Sequence, residues 1–143
     1  MMGVSMRSVI YKRWFYPLLL VICFGILIMM VMPAGVVYGS STDWFSQHVA
    51  LAETIRTACL EQHTLLPDWI ALGGGSNGFQ FAYYGYLRPD ILLGCLLPRV
   101  PMMNIIIIYT LAGYLAAVLI CYQWLREELD SRAFAYIGSM LFM

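Results

Sequence analysis

Two stretches of this chain, residues 14–42 and 100–125, carry no charged side chain at all. Nothing else in the sequence narrows the possible folds as much. About 20 consecutive apolar residues suffice for a helix to cross the hydrocarbon core of a bilayer. Inside that core every backbone polar group needs an internal partner, which leaves helices or closed barrels. Only 11% of the 143 residues are charged and 62% are apolar, whereas a soluble domain has roughly 25% charged residues. Mean hydropathy is +0.76. The expected fold class is therefore an all-α membrane protein with two complete transmembrane helices, the start of a third, and a large extracytoplasmic loop.

The flanks set the expected topology. Residues 1–13 contain Arg7, Lys12 and Arg13 and no acid, which places the N-terminus in the cytoplasm of a multi-pass cell-membrane protein. The first transmembrane helix is expected over residues 14–37, with Trp14, Tyr16 and Tyr38 at interface depth. A cleaved signal peptide is the rival reading, but its apolar core spans only about 7–15 residues, and this run is longer. The outer loop then covers residues 38–101, the second transmembrane helix 102–124, a cytoplasmic turn 125–132, and the start of a third helix 133–143. Because the sequence stops inside that apolar run, it reads as the N-terminal piece of a longer membrane protein.

Within the outer loop, residues 43–64 are expected to form an amphipathic helix. Phe45, Val49, Ala52, Ile55 and Cys59 recur at helical spacing and make one apolar stripe. Residues 65–90 read as a glycine- and aromatic-rich loop, punctuated by Pro67, the glycines of 73–78 and Pro89. Residues 91–97 are too short to span and read as an interfacial or re-entrant piece. The four cysteines, Cys23, Cys59, Cys95 and Cys121, form no CxxC pair, so a zinc or redox motif is not supported. A disulfide between Cys59 and Cys95 is conceivable, since both fall in the outer loop.

Eight basic and eight acidic residues cancel and form no basic patch, so nucleic acid is not an expected partner. Gly73, Gly75 and Gly78 match GxGxxG literally. They lack the preceding buried strand and following helix that a dinucleotide fingerprint requires, and no lysine follows to make a phosphate-binding loop. Asp43, just outside the first transmembrane helix, has two readings. It can cap the helix, or act as general base or cation ligand with Gln47 one turn away. The aromatics Phe79, Phe81, Tyr83, Tyr84 and Tyr86, with Trp44 and Trp69, either form an interface belt or stack on sugar rings. His48 and His63 have no partner at ligand spacing and read as surface or core residues. Arg88 and Arg99 either meet lipid phosphates or anchor the segment.

Taken in order, these residues resemble the start of the YfhO family of bacterial multi-pass membrane proteins. The resemblance is carried by Ser41-Thr42-Asp43-Trp44-Phe45-Ser46-Gln47-His48, Leu66-Pro67-Asp68-Trp69, Gly73-Gly74-Gly75-Ser76-Asn77 and Phe81-Ala82-Tyr83-Tyr84-Gly85. It implies a GT-C-type glycosyltransferase that moves a sugar from a polyprenyl-phosphate donor to a cell-envelope polymer such as teichoic acid. It also implies a catalytic role for Asp43, which would hold a divalent cation if one is used. The candidate substrate-binding residues for such a reaction are Gln47, His48, Trp69, Gly74, Gly75, Asn77, Tyr83, Tyr84 and Arg88. The expected partners are the lipid bilayer, the lipid-linked sugar and the acceptor polymer. Arg88-Pro89-Asp90 departs from the family's Asn-Pro-apolar pattern, and family members are several-fold longer. A protein that binds or translocates a lipid-linked glycan without turnover, or an inactive truncated product, remains as an alternative.

Overall fold

A computed structural model describes residues 6–32, 38–39, 43–72 and 75–143. The chain is mostly helical and divides into two compact units, Met1–Val37 with Leu111–Met143, and Tyr38–Thr110. Among the described residues, two helices are long and apolar enough to cross a membrane.

The first of these is α1, Met6–Val31. It begins before the charge-free run and takes in the basic flank. The expected end of the span, residues 33–37 with Pro33, lies outside the described residues, as do Ser40, Ser41 and Thr42. The second is α4, Met102–Glu128. At 1.5 Å per residue, its 27 residues rise about 40 Å, more than the hydrocarbon core requires. Few side chains of either span are covered by the rest of the chain, 11% in α1 and 22% in α4. A core helix of a soluble protein would be mostly covered, so these apolar faces are left to the surroundings. The expected turn at residues 125–132 is shorter than anticipated, because α4 continues through Arg126, Glu127 and Glu128. Those residues are good helix formers, and Gln123 Nε2 donates to Glu127 Oε1 one turn on at 2.7 Å. Helix α5 follows over Arg132–Phe142.

In the first unit, α1, the later part of α4 and α5 share a small core of Leu20, Val118, Tyr122 and Ala135. Tyr16 packs beside it, 5.6 Å from the Tyr136 ring centroid. Ser139 is fully buried and satisfies its hydroxyl by donating to Ala135 O at 2.8 Å.

The second unit opens with a single wide π-helical stretch, Trp44–Val49, which runs into α2, Ala50–Glu61. Helix α2 buries Ala52, Ile55, Ala58 and Cys59 on one face, and Val49 packs against the same cluster. Phe45 does not join that stripe and is 47% exposed. The π stretch has a wider turn than an α-helix, so residues early in it, Phe45 among them, fall out of register with the α2 face. Helix α2 stops at Glu61, just ahead of His63, whose positive φ of 51° terminates helices by turning the chain left-handed.

Residues 65–90, expected as loop, contain two short elements. Strands β1, Trp69–Ile70, and β2, Ser76–Asn77, pair antiparallel with Trp69 opposite Asn77. The exposed side chain of Gln62 fixes the incoming chain by accepting from Asp68 N–H and donating to Trp69 O. Gly75 sits at the bend with φ of +102°, and a Cβ there would lie 2.6 Å from Trp69 Nε1. Both the conformation and the contact exclude a side chain. A 3₁₀-helix then spans Gly78–Tyr84, and α3 spans Pro89–Leu96. Helices α2 and α3 and the start of α4 enclose the core: Ile55, Ile70, Ile91, Met102, Ile105 and Ile106 are all buried. Burying one such side chain fully contributes about 1.5–3 kcal/mol. The buried guanidinium of Arg56 ties this core together. It donates to Val100 O at 2.6 Å and pairs with Glu53.

Candidate functional site

A cleft of about 520 Å³ in the second unit is lined by Asp43, Trp44 and His48, by Arg88 and Asp90, and by Ile106, Tyr109 and Thr110. Three elements build it. The π stretch and the residue before it, Asp43, supply a carboxylate, an indole and an imidazole. The chain into α3 supplies an ion pair. The first turns of α4 supply a wall that is largely apolar.

Asp43 does not cap its helix: no backbone N–H is held by its side chain. Its Oδ1 accepts instead from Gln47 Nε2 at 3.1 Å. Gln47 Oε1 in turn faces the Tyr84 hydroxyl at 3.5 Å. The Tyr84 carbonyl accepts from Arg88 Nη1 at 3.3 Å, and Arg88 grips Asp90 with Nε and Nη2. A polar chain thus runs from one carboxylate, Asp43, to the other, Asp90, across the rim of the cleft.

The two carboxylates differ in surroundings. The Asp43 residue is exposed, while Asp90 is only 2% exposed. Pro89 at the start of α3 presets the helical φ, and the extended Arg88 before it lets its guanidinium reach Asp90 two residues on. Hydrogen bonding to Asp90 raises the Arg88 pKa above the ordinary guanidinium range, against the lowering effect of burial. Arg88 therefore stays charged and is committed to a bidentate pair. Trp44 Nε1 is buried with no hydrogen-bond partner among the described residues. Its ring lies 5.3 Å from Tyr38 and 6.3 Å from His48. A buried donor without a partner is costly, and here it belongs to a residue lining the cleft.

Of the residues expected at the site from sequence, Asp43, His48 and Arg88 line this cleft, and Gln47 and Tyr84 join the polar chain at its rim. Tyr83 is 78% exposed, and its hydrogen bond to Tyr84 raises its phenol pKa. Trp69 lies away from the cleft, in a shallow groove with Glu53, Thr54, Thr57 and Glu61 of α2. Gly75 is packed against that Trp69 ring. Asn77 is engaged in capping the 3₁₀-helix, accepting from Phe79 N at 2.9 Å. Gly74, like Gly73, lies outside the described residues.

Sequence reasoning did not single out Asp90, Tyr109 or Thr110 as site residues. The Arg-Pro-Asp spacing was the available signal for Asp90. Nothing in the apolar run marked Tyr109 and Thr110 as cleft-facing. For a divalent cation the cleft offers the Asp43 carboxylate and the His48 imidazole, since Asp90 is taken by Arg88. Among the described residues no group of three His, Cys, Asp or Glu side chains is placed to hold a metal ion. No family model, no curated protein and no solved structure matches this chain.

Proposed function

We propose that this chain belongs to a membrane protein that binds a polyprenyl-phosphate-linked sugar at the outer face of the cell membrane and transfers the sugar to an envelope polymer such as teichoic acid. One observation carries the reading. An exposed carboxylate, Asp43, shares a cleft with the first turns of an apolar helix of membrane-spanning length. A lipid-linked sugar needs that combination, a polar pocket for the head and an apolar wall where the chain begins. Two such helices are consistent with a membrane location, and the basic flank of the first orients the Tyr38–Thr110 unit outward.

In this reading Asp43 accepts the proton of the acceptor hydroxyl as its oxygen attacks the anomeric carbon. The glycosidic bond to phosphate breaks, and the polyprenyl phosphate leaves with the electron pair. Gln47 fixes the Asp43 carboxylate through the 3.1 Å bond. The Trp44 N–H, without a partner among the described residues, offers a donor to a sugar or phosphate oxygen. Arg88, paired with Asp90, supplies positive charge at the cleft wall and little net field beyond it.

The protein in its membrane, given labelled polyprenyl-phosphate sugar and acceptor polymer, tests this. Asp43→Asn is expected to reduce transfer by a factor on the order of 10²–10⁴, the usual contribution of a general base. Unchanged transfer at equal expression would exclude Asp43 from the chemistry. A second reading, binding or translocation without turnover, is favoured by one feature: the other carboxylate of the cleft is neutralised by Arg88. Saturable binding of the labelled donor with no transfer would establish it.

A further inference from the structure

A second constellation lies on the other part of this unit. Cys59 near the end of α2 and Cys95 near the end of α3 line the same small cleft of about 180 Å³, together with His63 and Leu65. Cys59 is buried in the core, and Cys95 is half-buried and packed against that core. One residue before Cys95, Gly94 lets the two helices approach closely. A Cβ at Gly94 would lie 3.0 Å from Arg56 Cδ, and Arg56 stands one helical turn before Cys59. Cys59 Sγ donates to Leu65 O at 3.8 Å, and Leu65 lines the same small cleft as both cysteines.

We propose that Cys59 and Cys95 are a disulfide-forming pair that staples α2 to α3. Disulfides need helices close enough to bring two Cα atoms within about 7 Å, with the Cβ bonds converging. The close Gly94 approach of α3 to α2 and the cleft that both cysteines line place the two thiols at the same helix junction. Nothing in the proposal depends on sugar transfer.

The oxidant is a low-molecular-weight disulfide. The more accessible Cys95, as its thiolate, attacks one sulfur of that disulfide and releases one small thiolate. The Cys59 sulfur, on losing its proton, then attacks the Cys95 sulfur and expels the second small thiolate. Two protein thiols are oxidised, one small disulfide is reduced to two thiols, and the two protons end on the leaving sulfurs. Burial and the neighbouring Cys95 raise the Cys59 pKa to about 11, which makes Cys59 the second, slower participant and Cys95 the first. The closed loop contains β1, β2, the 3₁₀-helix and Arg88. The staple would therefore hold Tyr84 and Arg88 in fixed relation to α2.

The test is peptide mapping of the purified, detergent-solubilised protein after exposure to oxidised glutathione and quenching with a maleimide. The expected result is a single linked peptide containing Cys59 and Cys95, lost on reduction, with a raised unfolding temperature in the oxidised sample. Glutathione remaining on Cys95 with no linked peptide would overturn the proposal. So would maleimide on both cysteines after oxidation.

Discussion

Removing one member of the Arg88–Asp90 pair should harm the second unit far more than removing both. The Asp90 side chain is 3% exposed and the Arg88 side chain 34%. Arg88→Ala leaves a buried carboxylate with no cation, and breaking a buried pair in this way costs about 3–5 kcal/mol. One side of the pair reaches solvent, which screens part of the interaction, so the lower end, about 3 kcal/mol, is expected. The same change frees the Tyr84 carbonyl. For a domain of this size each kcal/mol moves the unfolding midpoint by roughly 4–8 °C, giving a drop of more than about 10 °C. Asp90→Asn keeps the shape and one acceptor and removes the buried charge, so about 1 kcal/mol is expected. Arg88→Lys should fall between, because an ammonium cannot make the bidentate fork. The double change Arg88→Met with Asp90→Leu should recover most of the loss, because a buried pair can be replaced by apolar residues of similar volume. The coupling is read from the double-mutant cycle. The assay is thermal unfolding in detergent, followed by near-UV circular dichroism, with reversibility checked by rescanning. Because the folded-state pKa of Arg88 is raised, the stability from its charge is present below the ordinary guanidinium range and lost only as pH climbs through the higher folded value. The ranking should not change around neutral pH. A double variant less stable than the sum of its singles, or an Arg88→Ala midpoint within about 2 °C of the parent, would refute this account of the pair.

Three further outcomes follow from the same structure. Trp44→Phe removes an indole N–H that has no partner among the described residues, so stability should change by less than about 1 kcal/mol while donor-sugar binding weakens. Gln62→Ala loses both backbone clamps on β1 and should cost about 1–2 kcal/mol, with hydrogen exchange accelerating first around Asp68 and Trp69. In the reduced protein the Cys59 pKa is raised from 9.0 to about 11, by burial first and then by Cys95. Alkylation of Cys59 should therefore accelerate through an inflection near 11. The stability linked to its protonated form is fully present below 9.0 and declines as pH rises towards about 11, which equilibrium denaturation at alkaline pH measures.

The two helices of membrane-spanning length were legible because charge-free runs are the plainest signal a sequence carries. Their bounds were less so. Helix α1 takes in the basic flank, and α4 runs on through Arg126, Glu127 and Glu128, since charge alone does not break a helix. The buried face of α2 was readable at Ala52, Ile55 and Cys59 from 3.6-residue spacing. Phe45 was not, because the π stretch before α2 changes the pitch that periodicity assumes. The burial of the Arg56 guanidinium against Val100 O was not legible, since a charged residue on an amphipathic helix is expected on its polar face. Asp43 and Gln47 were placed together by one-turn spacing, and their side chains do meet. The pairing of Asp90 with Arg88 was hidden, because residues two apart face each other only once a proline-led helix start bends the chain. The packing of the Trp69 ring on Gly75, at the bend between β1 and β2, was hidden, because no periodicity marks so local a contact.

The π-helical stretch at Trp44–Val49 also sets the angle at which Asp43 meets the cleft. Its wider turn takes up more residues per revolution than an α-helix does. Were the same residues wound as ordinary α-helix instead, Asp43 would turn by about 100° relative to α2. The helix would survive and the carboxylate would leave the cleft. The place of the Asp43 carboxylate in the cleft therefore depends on the wide turn being kept.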